Sequence, residues 1–330
     1  MATGSVRAYL LVGMHDGVCK VACRTDGSAE VVGAVTPLEH AAARLAVCRT
    51  QPRVAYLAAY EAGLWRSDDG GGTWRRLERY PVEHAHSVAV HPQQPERLSV
   101  GSEPAAIYQS EDGGASWREC ENFRLLPESK DWYFFEPRQP HVRALTLAAH
   151  DAACLYAGVE VGGVYRSTDA GASWRACLGT HPDVHSLSVT PARPRTLYAA
   201  TARHPYRSDD GGDTWTEIGS GLPLPYIVPI SPAPDDADLV LVACADSSRR
   251  RSSRLMRSTD GGRTWHEPDW PGSKRDMAVA LAWDFSDSAV VYAGTDKGAL
   301  YRSGDRGASW EKLPVSLGSV AVGSLAVVPR

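Results

Sequence analysis

The chain has 330 residues, with 35 Lys and Arg set against 39 Asp and Glu for a net charge of −4. That balance gives no basic field for nucleic acid, and no apolar stretch is long enough to span a bilayer, so neither partner is expected. Residues 1–14 lack the basic start and long apolar run of a signal peptide. The seven Cys are odd in number and mostly sit inside strand-like segments, as at Cys48, Cys154 and Cys244, while Cys19 and Cys23 lack the context of a zinc knuckle. They read as reduced and buried, and the expected location is cytoplasmic.

In chain order, residues 6–33 read as strands around the turn Arg24-Thr25-Asp26-Gly27, with one strand of the set missing. A repeat then begins. The pattern Ser-x-Asp-x-Gly-x-Thr/Ser-Trp runs from Ser67 to Trp74, Ser110 to Trp117, Ser167 to Trp174, Ser208 to Trp215, Ser258 to Trp265 and Ser303 to Trp310. Each copy follows an aromatic-bearing strand and precedes a short one, so it reads as a hairpin. The Asp can accept hydrogen bonds from turn N–H groups, the Gly takes a conformation that other residues resist, and the Trp can fill space between neighbouring units. Copies start 41 to 57 residues apart, in the range of propeller blades. Six units are expected at about 40–80, 84–122, 141–179, 183–221, 224–270 and 276–314. A seventh pairs residues 319–329 with 6–33, which closes the ring and removes two sheet edges. Two segments interrupt the period. One is 121–140, with the aromatic run Trp132-Tyr133-Phe134-Phe135. The other is the polar loop 246–254, which carries Arg249-Arg250-Arg251 as a surface run.

These residues are the pattern of the Asp-box, or BNR repeat, and the chain resembles Asp-box β-propellers over nearly its whole length. The resemblance implies an all-β, seven-bladed propeller forming one domain, expected to be monomeric. It fixes function less well. Such propellers include sialidases, xyloglucan-type glycosidases, sortilin-type receptors and a photosystem II assembly factor. The motif lies on outer hairpins, away from the axis where ligands bind, so its Asp and Trp residues are expected to be scaffold.

Candidate functional residues are those that depart from their repeat equivalents. Aligning the inner strands gives His84 and His86 in blade two, His141 and Arg143 in blade three, and Asp183 and His185 in blade four. Blades five, six, seven and one give Leu224 and Tyr226, Met277 and Val279, Ala321 and Gly323, and Ala41 and Ala43. Residues i and i+2 share a strand face, so polar groups from three consecutive blades should converge at one channel mouth. Adjoining loops add Glu103, Glu160, Arg203 and His204, with His15 and Asp16 on the opposite side. Segment 121–140 is expected either to plug a gap between blades two and three or to act as a lid, with Trp132, Tyr133 and Phe135 facing a ligand. His91 and His150 fall at the other mouth as turn residues.

Three chemistries fit the cluster. In the first, His84, His86, His141 and His185 hold a divalent transition metal (zinc, iron, copper or manganese) with Glu103 or Glu160 as ligand or general base and Asp183 orienting a ring. Small-molecule binding, with metal-assisted lyase or hydrolase chemistry, would follow, Arg143 pairing with an anion and Tyr226 donating a hydrogen bond. In the second, Glu103, Glu160 and Asp183 provide an acid and base for glycoside cleavage. The sialidase arginine triad and its Phe/Tyr-Arg-Ile-Pro motif cannot be mapped. In the third, the propeller is a non-enzymatic platform for a protein partner.

Overall fold

A computed structural model describes residues 4–38, 42–148, 151, 153–318 and 320–328. Ala41 and His150 lie outside the described residues. Seven small antiparallel sheets follow one another around a ring. Their inner strands are Ala42–Val47, Ala85–Val90, Val142–Leu147, Val184–Val189, Tyr226–Pro232, Ala278–Trp283 and Val322–Val328. The last belongs to the sheet of Val6–Met14, Gly17–Arg24 and Ala29–Pro37. It pairs antiparallel with Val6–Met14, Leu11 opposite Ala326, so the ring closes by pairing the two chain ends as expected. Blade five has three full strands, its outer edge reduced to a bridge between Arg257 and His266. No described helix is long and apolar enough to cross a membrane.

The repeat explains how each blade holds its shape. In the first copy Ser67 Oγ donates to Asp69 Oδ1 at 2.8 Å and accepts from Gly71 N–H at 2.8 Å. Asp69 Oδ1 accepts from Thr73 N–H at 2.9 Å, and Oδ2 from the Thr73 hydroxyl at 2.8 Å. Burial pushes this carboxyl up, but the hydrogen bonds outweigh it and hold the pKa below the ordinary value. The turn needs a left-handed residue where a Cβ would strain, as at Gly171 with φ +87°. Asp69→Ala is expected to cost about 1–2 kcal/mol in urea unfolding and to leave the channel mouth unchanged; a cost near zero would mean the turn holds without its carboxylate.

Blades are joined face to face. Trp174 belongs to one buried cluster with Ile107 of blade two, Phe123 of the insertion, and Val142 and Ala157 of blade three. Buried tyrosines of the second strands reach across to neighbouring backbone: Tyr56 Oη donates to Pro95 O at 2.7 Å and Tyr198 Oη to Ala237 O at 2.7 Å. Inner-strand serines do the same, as Ser87 Oγ to Val142 O at 2.7 Å. All seven Cys are free and buried.

The channel has two unlike halves. Toward the strand ends it is a cavity of about 390 Å³ lined by residues from every blade, mostly apolar and including Leu45, Val88, Leu145, Leu187, Trp283 and Leu325, with Arg49, Ser188 and Ser231 among them. The polar residues His86, His141, Arg143 and His185 stand at the opposite ends of the inner strands.

Candidate functional site

A recurring bulge aims the mouth residues. Pairing shifts between Ala85 and Ser87, Val142 and Ala144, and Val184 and Ser186, leaving His86, Arg143 and His185 at the irregular position. The same shift brackets Ala43, Val279 and Gly323. A bulge re-aims the side chain it carries, so these are true structural equivalents. Just before them, the carbonyls of His84, His141 and Asp183 accept from the N–H groups of Glu103, Glu160 and Ala202. Blade five needs a correction. Ile227 pairs with Cys244 at its shift, which makes Tyr226 the first residue of the pair and Val228 the second, not Leu224 and Tyr226.

The blade two and three side is a closed polar network. His86 Nε2 lies 3.0 Å from Glu103 Oε2. Arg138 Nη2 donates to the same oxygen at 2.7 Å and lies 3.1 Å from His86 Nε2, and Gln139 N–H donates to Oε1 at 3.0 Å. The rings of His86 and His141 stack at 4.2 Å. His141, only 1% exposed, has Nδ1 at 3.1 Å from Gln139 O and Nε2 at 2.6 Å from Glu160 Oε2. Arg143 pairs with Glu160 Oε1. Burial drives His86 down to about 4, against the pull of Glu103. Burial pushes both glutamates up, but their partners outweigh it. His86, Arg138 and Gln139 hold Glu103 well below the carboxylate range, and Arg143 with His141 and His185 holds Glu160 at about 2. Both are carboxylates at neutral pH.

The blade four and five side is not closed. His185 is 0% exposed and its Nδ1–H donates to Ile227 O. Its Nε2 faces Asp183 Oδ1 at 3.3 Å, yet both atoms are buried without a hydrogen-bond partner. Glu160, Asp183 and His185 each offer an atom within 4.8 Å of the others, and so do His86, Glu103 and His141. Tyr226 packs on His185 with ring centres 4.6 Å apart, and burial raises its phenol pKa, so it remains a donor.

Several expected residues stand elsewhere. His84 stacks on Tyr60 at the rim, 4.9 Å between centres, and belongs to neither ligand-like group. Trp132 is the plug: its Nε1 donates to Tyr165 Oη at 2.6 Å and its ring meets Phe123 at 5.1 Å. Tyr133 and Phe135 are 55% and 70% exposed. Phe134 instead meets the His141 ring at 4.9 Å. Arg203 is exposed, and His204 turns outward to Glu217 at 2.6 Å. His15 and Asp16 are exposed.

Four residues of the mouth were not among the expected site residues. Arg138 and Phe134 come from the insertion, which has no repeat equivalent. Arg44 reaches from blade one to the carbonyl of His185 in blade four at 3.4 Å. Burial, then Arg143, lowers its pKa to about 10. Its equivalents are Ser87, Ala144, Ser186 and Ala280, so a departure from the repeat did mark it. Arg250 lies 3.8 Å from Asp296.

The BNR/Asp-box repeat model matches residues 256–267. A curated relative, the "Probable oligoxyloglucan-reducing end-specific xyloglucanase" of Neosartorya fischeri, is 26% identical over 186 residues, 53% of this chain but 21% of that protein. The Niastella koreensis GH74 enzyme superposes with TM-score 0.64 at 18% identity, over 82% of this chain and 45% of that one. A structure of YCF48 bound to D1 peptide superposes with TM-score 0.58 at 18% identity, over 82% of this chain and 80% of that one. The chain therefore spans about a fifth of the curated relative and less than half of the GH74 chain, while it covers 80% of the YCF48 chain. The chain is a seven-bladed β-propeller built of BNR/Asp-box repeats.

Proposed function

We propose that the polar mouth is a binding site for a small hydroxyl-rich ligand of the carbohydrate class, seated over blades three to five. One observation carries this reading. In a network where the neighbouring charges are paired, Asp183 Oδ1 and His185 Nε2 are left without donors. Buried acceptors are costly when unmet, and a ligand bearing several O–H groups meets them. Tyr226 and Arg143 stand beside them as donors. The rigid half formed by Glu103, Arg138, His86 and His141 pre-organises the floor, which lowers the ordering cost of binding. The xyloglucanase relative agrees with this ligand class.

Cleavage is the second reading. Carboxylate oxygens of Glu160 and Asp183 lie within 4.8 Å, near the ~5 Å separation of retaining glycosidases. Against it, Glu103 and Glu160 are both held ionised, so neither is a general acid near neutrality. The test is calorimetric titration with a xyloglucan oligosaccharide, beside a reducing-end assay. Binding without turnover, weakened about tenfold or more (~1.4 kcal/mol) in Tyr226→Phe, is the expected result. Turnover would install the glycosidase reading. No binding by this or other oligosaccharides, with capture of an extended peptide instead, would favour a partner-binding propeller.

A further inference from the structure

The unmet acceptors at Asp183 and His185 also have a more specific reading, which rests on the mouth being the ligand site. We propose that Glu160, Asp183 and His185 hold one divalent transition-metal ion, whose remaining coordination positions face the mouth and take the ligand.

The argument starts from the His185 ring. Its Nδ1–H donates to the carbonyl of Ile227, which fixes the tautomer and leaves a lone pair on Nε2. A backbone acceptor on one nitrogen and a free lone pair on the other is how a metal-binding imidazole is held. That lone pair meets no donor, and the residue is wholly buried. It points instead at a carboxylate oxygen, Asp183 Oδ1, 3.3 Å away. Two acceptors at that distance repel unless something positive lies between or beside them. A tetrahedral site with bonds of about 2.0–2.1 Å has edges of ~3.4 Å, so the pair already has the spacing of one edge. Glu160 supplies a third atom within 4.8 Å of both.

One hydroxyl proton serves one acceptor well, whereas a dication serves Asp183 Oδ1 and His185 Nε2 together and shares Glu160 with His141 and Arg143. One imidazole and two carboxylates suit zinc, manganese or iron. Of the cations beside the site, Arg143 is already paired with Glu160 and Arg44 reaches the His185 carbonyl. The other three-residue group is a poorer candidate, because the Arg138 guanidinium stands against both His86 Nε2 and Glu103 Oε2 where an ion would sit. Both nitrogens of His141 are also engaged, by Gln139 O and Glu160.

The experiment uses the full chain without a His-tag, stripped with chelator and titrated with cobalt(II) in the absence of sugar. The expected result is one equivalent bound, with the ligand-field absorption of a four- or five-coordinate ion and zinc displacing it. Asp183→Asn and His185→Gln are expected to lower affinity by tenfold or more, while Glu103→Gln retains it. Asp183 is partly exposed, so its variant is expected to fold even if His185→Gln does not. Absence of cobalt binding would overturn the proposal. Binding that Glu103→Gln abolishes and Asp183→Asn does not would also overturn it, by moving the ion to the other cluster. Cobalt binding with no oligosaccharide binding would uphold the metal and refute the carbohydrate reading alone.

Discussion

Trp174→Ala is expected to lose about 3–5 kcal/mol of unfolding free energy. The indole is 8% exposed and fills space between blades two and three. It meets the Phe123 ring edge-on at 5.1 Å, and its Nε1–H donates to Gly171 O at 3.2 Å. Truncation removes that apolar area, leaves a cavity that rigid strands cannot close, and orphans the Gly171 carbonyl. The damage extends further than one contact. Phe123 also carries Trp132 and Tyr165, at 5.1 and 5.6 Å, and the same inserted segment goes on to supply Arg138 to Glu103. Loosening Phe123 should therefore raise protease sensitivity across 125–137. Urea unfolding of Trp174→Ala and Trp174→Phe, with limited proteolysis of both, checks this. Phe keeps most of the buried area and should cost less than half as much. A loss below about 1 kcal/mol in the Ala variant would show that the hairpin Trp is not what joins these blades.

The fold was legible because the repeat is redundant. Six copies of one hairpin, each with Ser, Asp, Gly and Trp in fixed order, state six of the seven blades, and the orphan strands at residues 6–33 and 322–328 supply the seventh and close the ring. The site was legible only as deviation from that repeat. His86, Arg143 and His185 stood out because their equivalents Ala43, Val279 and Gly323 are small or apolar. Arg44 deviates as sharply from Ser87, Ala144, Ser186 and Ala280, but it lies one residue past the two positions compared. In blade five, Pro225 and Pro229 around the bulge disguised the register, so Tyr226 was matched to the wrong partner. Arg138 and Phe134 could not be found this way at all, since an insertion has no equivalent to deviate from. Nor does composition tell Trp132, which turns inward as a plug, from Phe135, which stays in solvent. That choice is made by packing against Phe123 and Tyr165, a tertiary feature.

Acid should remove stability in two stages, and the first belongs to His86. Burial, opposed in part by Glu103, holds its folded pKa near 4 against an ordinary 6.5. Between those values the unfolded chain takes up a proton that the folded chain refuses. The unfolded state then binds more protons, so stability rises with pH across this window and falls on acidification. The full contribution is present above pH 6.5 and is gone by pH 4. A difference of about 2.5 pK units corresponds to ~3 kcal/mol. Glu103 acts later. Its folded pKa is depressed by His86, Arg138 and Gln139 against the upward push of burial, so its contribution survives until pH drops below the ordinary carboxylate range. His91 and His181 are also lowered by burial and add to the first stage in the same direction. They are unchanged in a His86→Asn variant, so the difference between the two proteins isolates His86. Unfolding free energies at pH 7, 6, 5 and 4 (about four points suffice for a slope) are expected to fall steeply in the wild type and by ~3 kcal/mol less in the variant. Equal slopes would mean that His86 is open to protons in the folded protein. Arg138 and Phe134 would then not seal that side of the mouth, and the floor assigned to the ligand site would not be rigid.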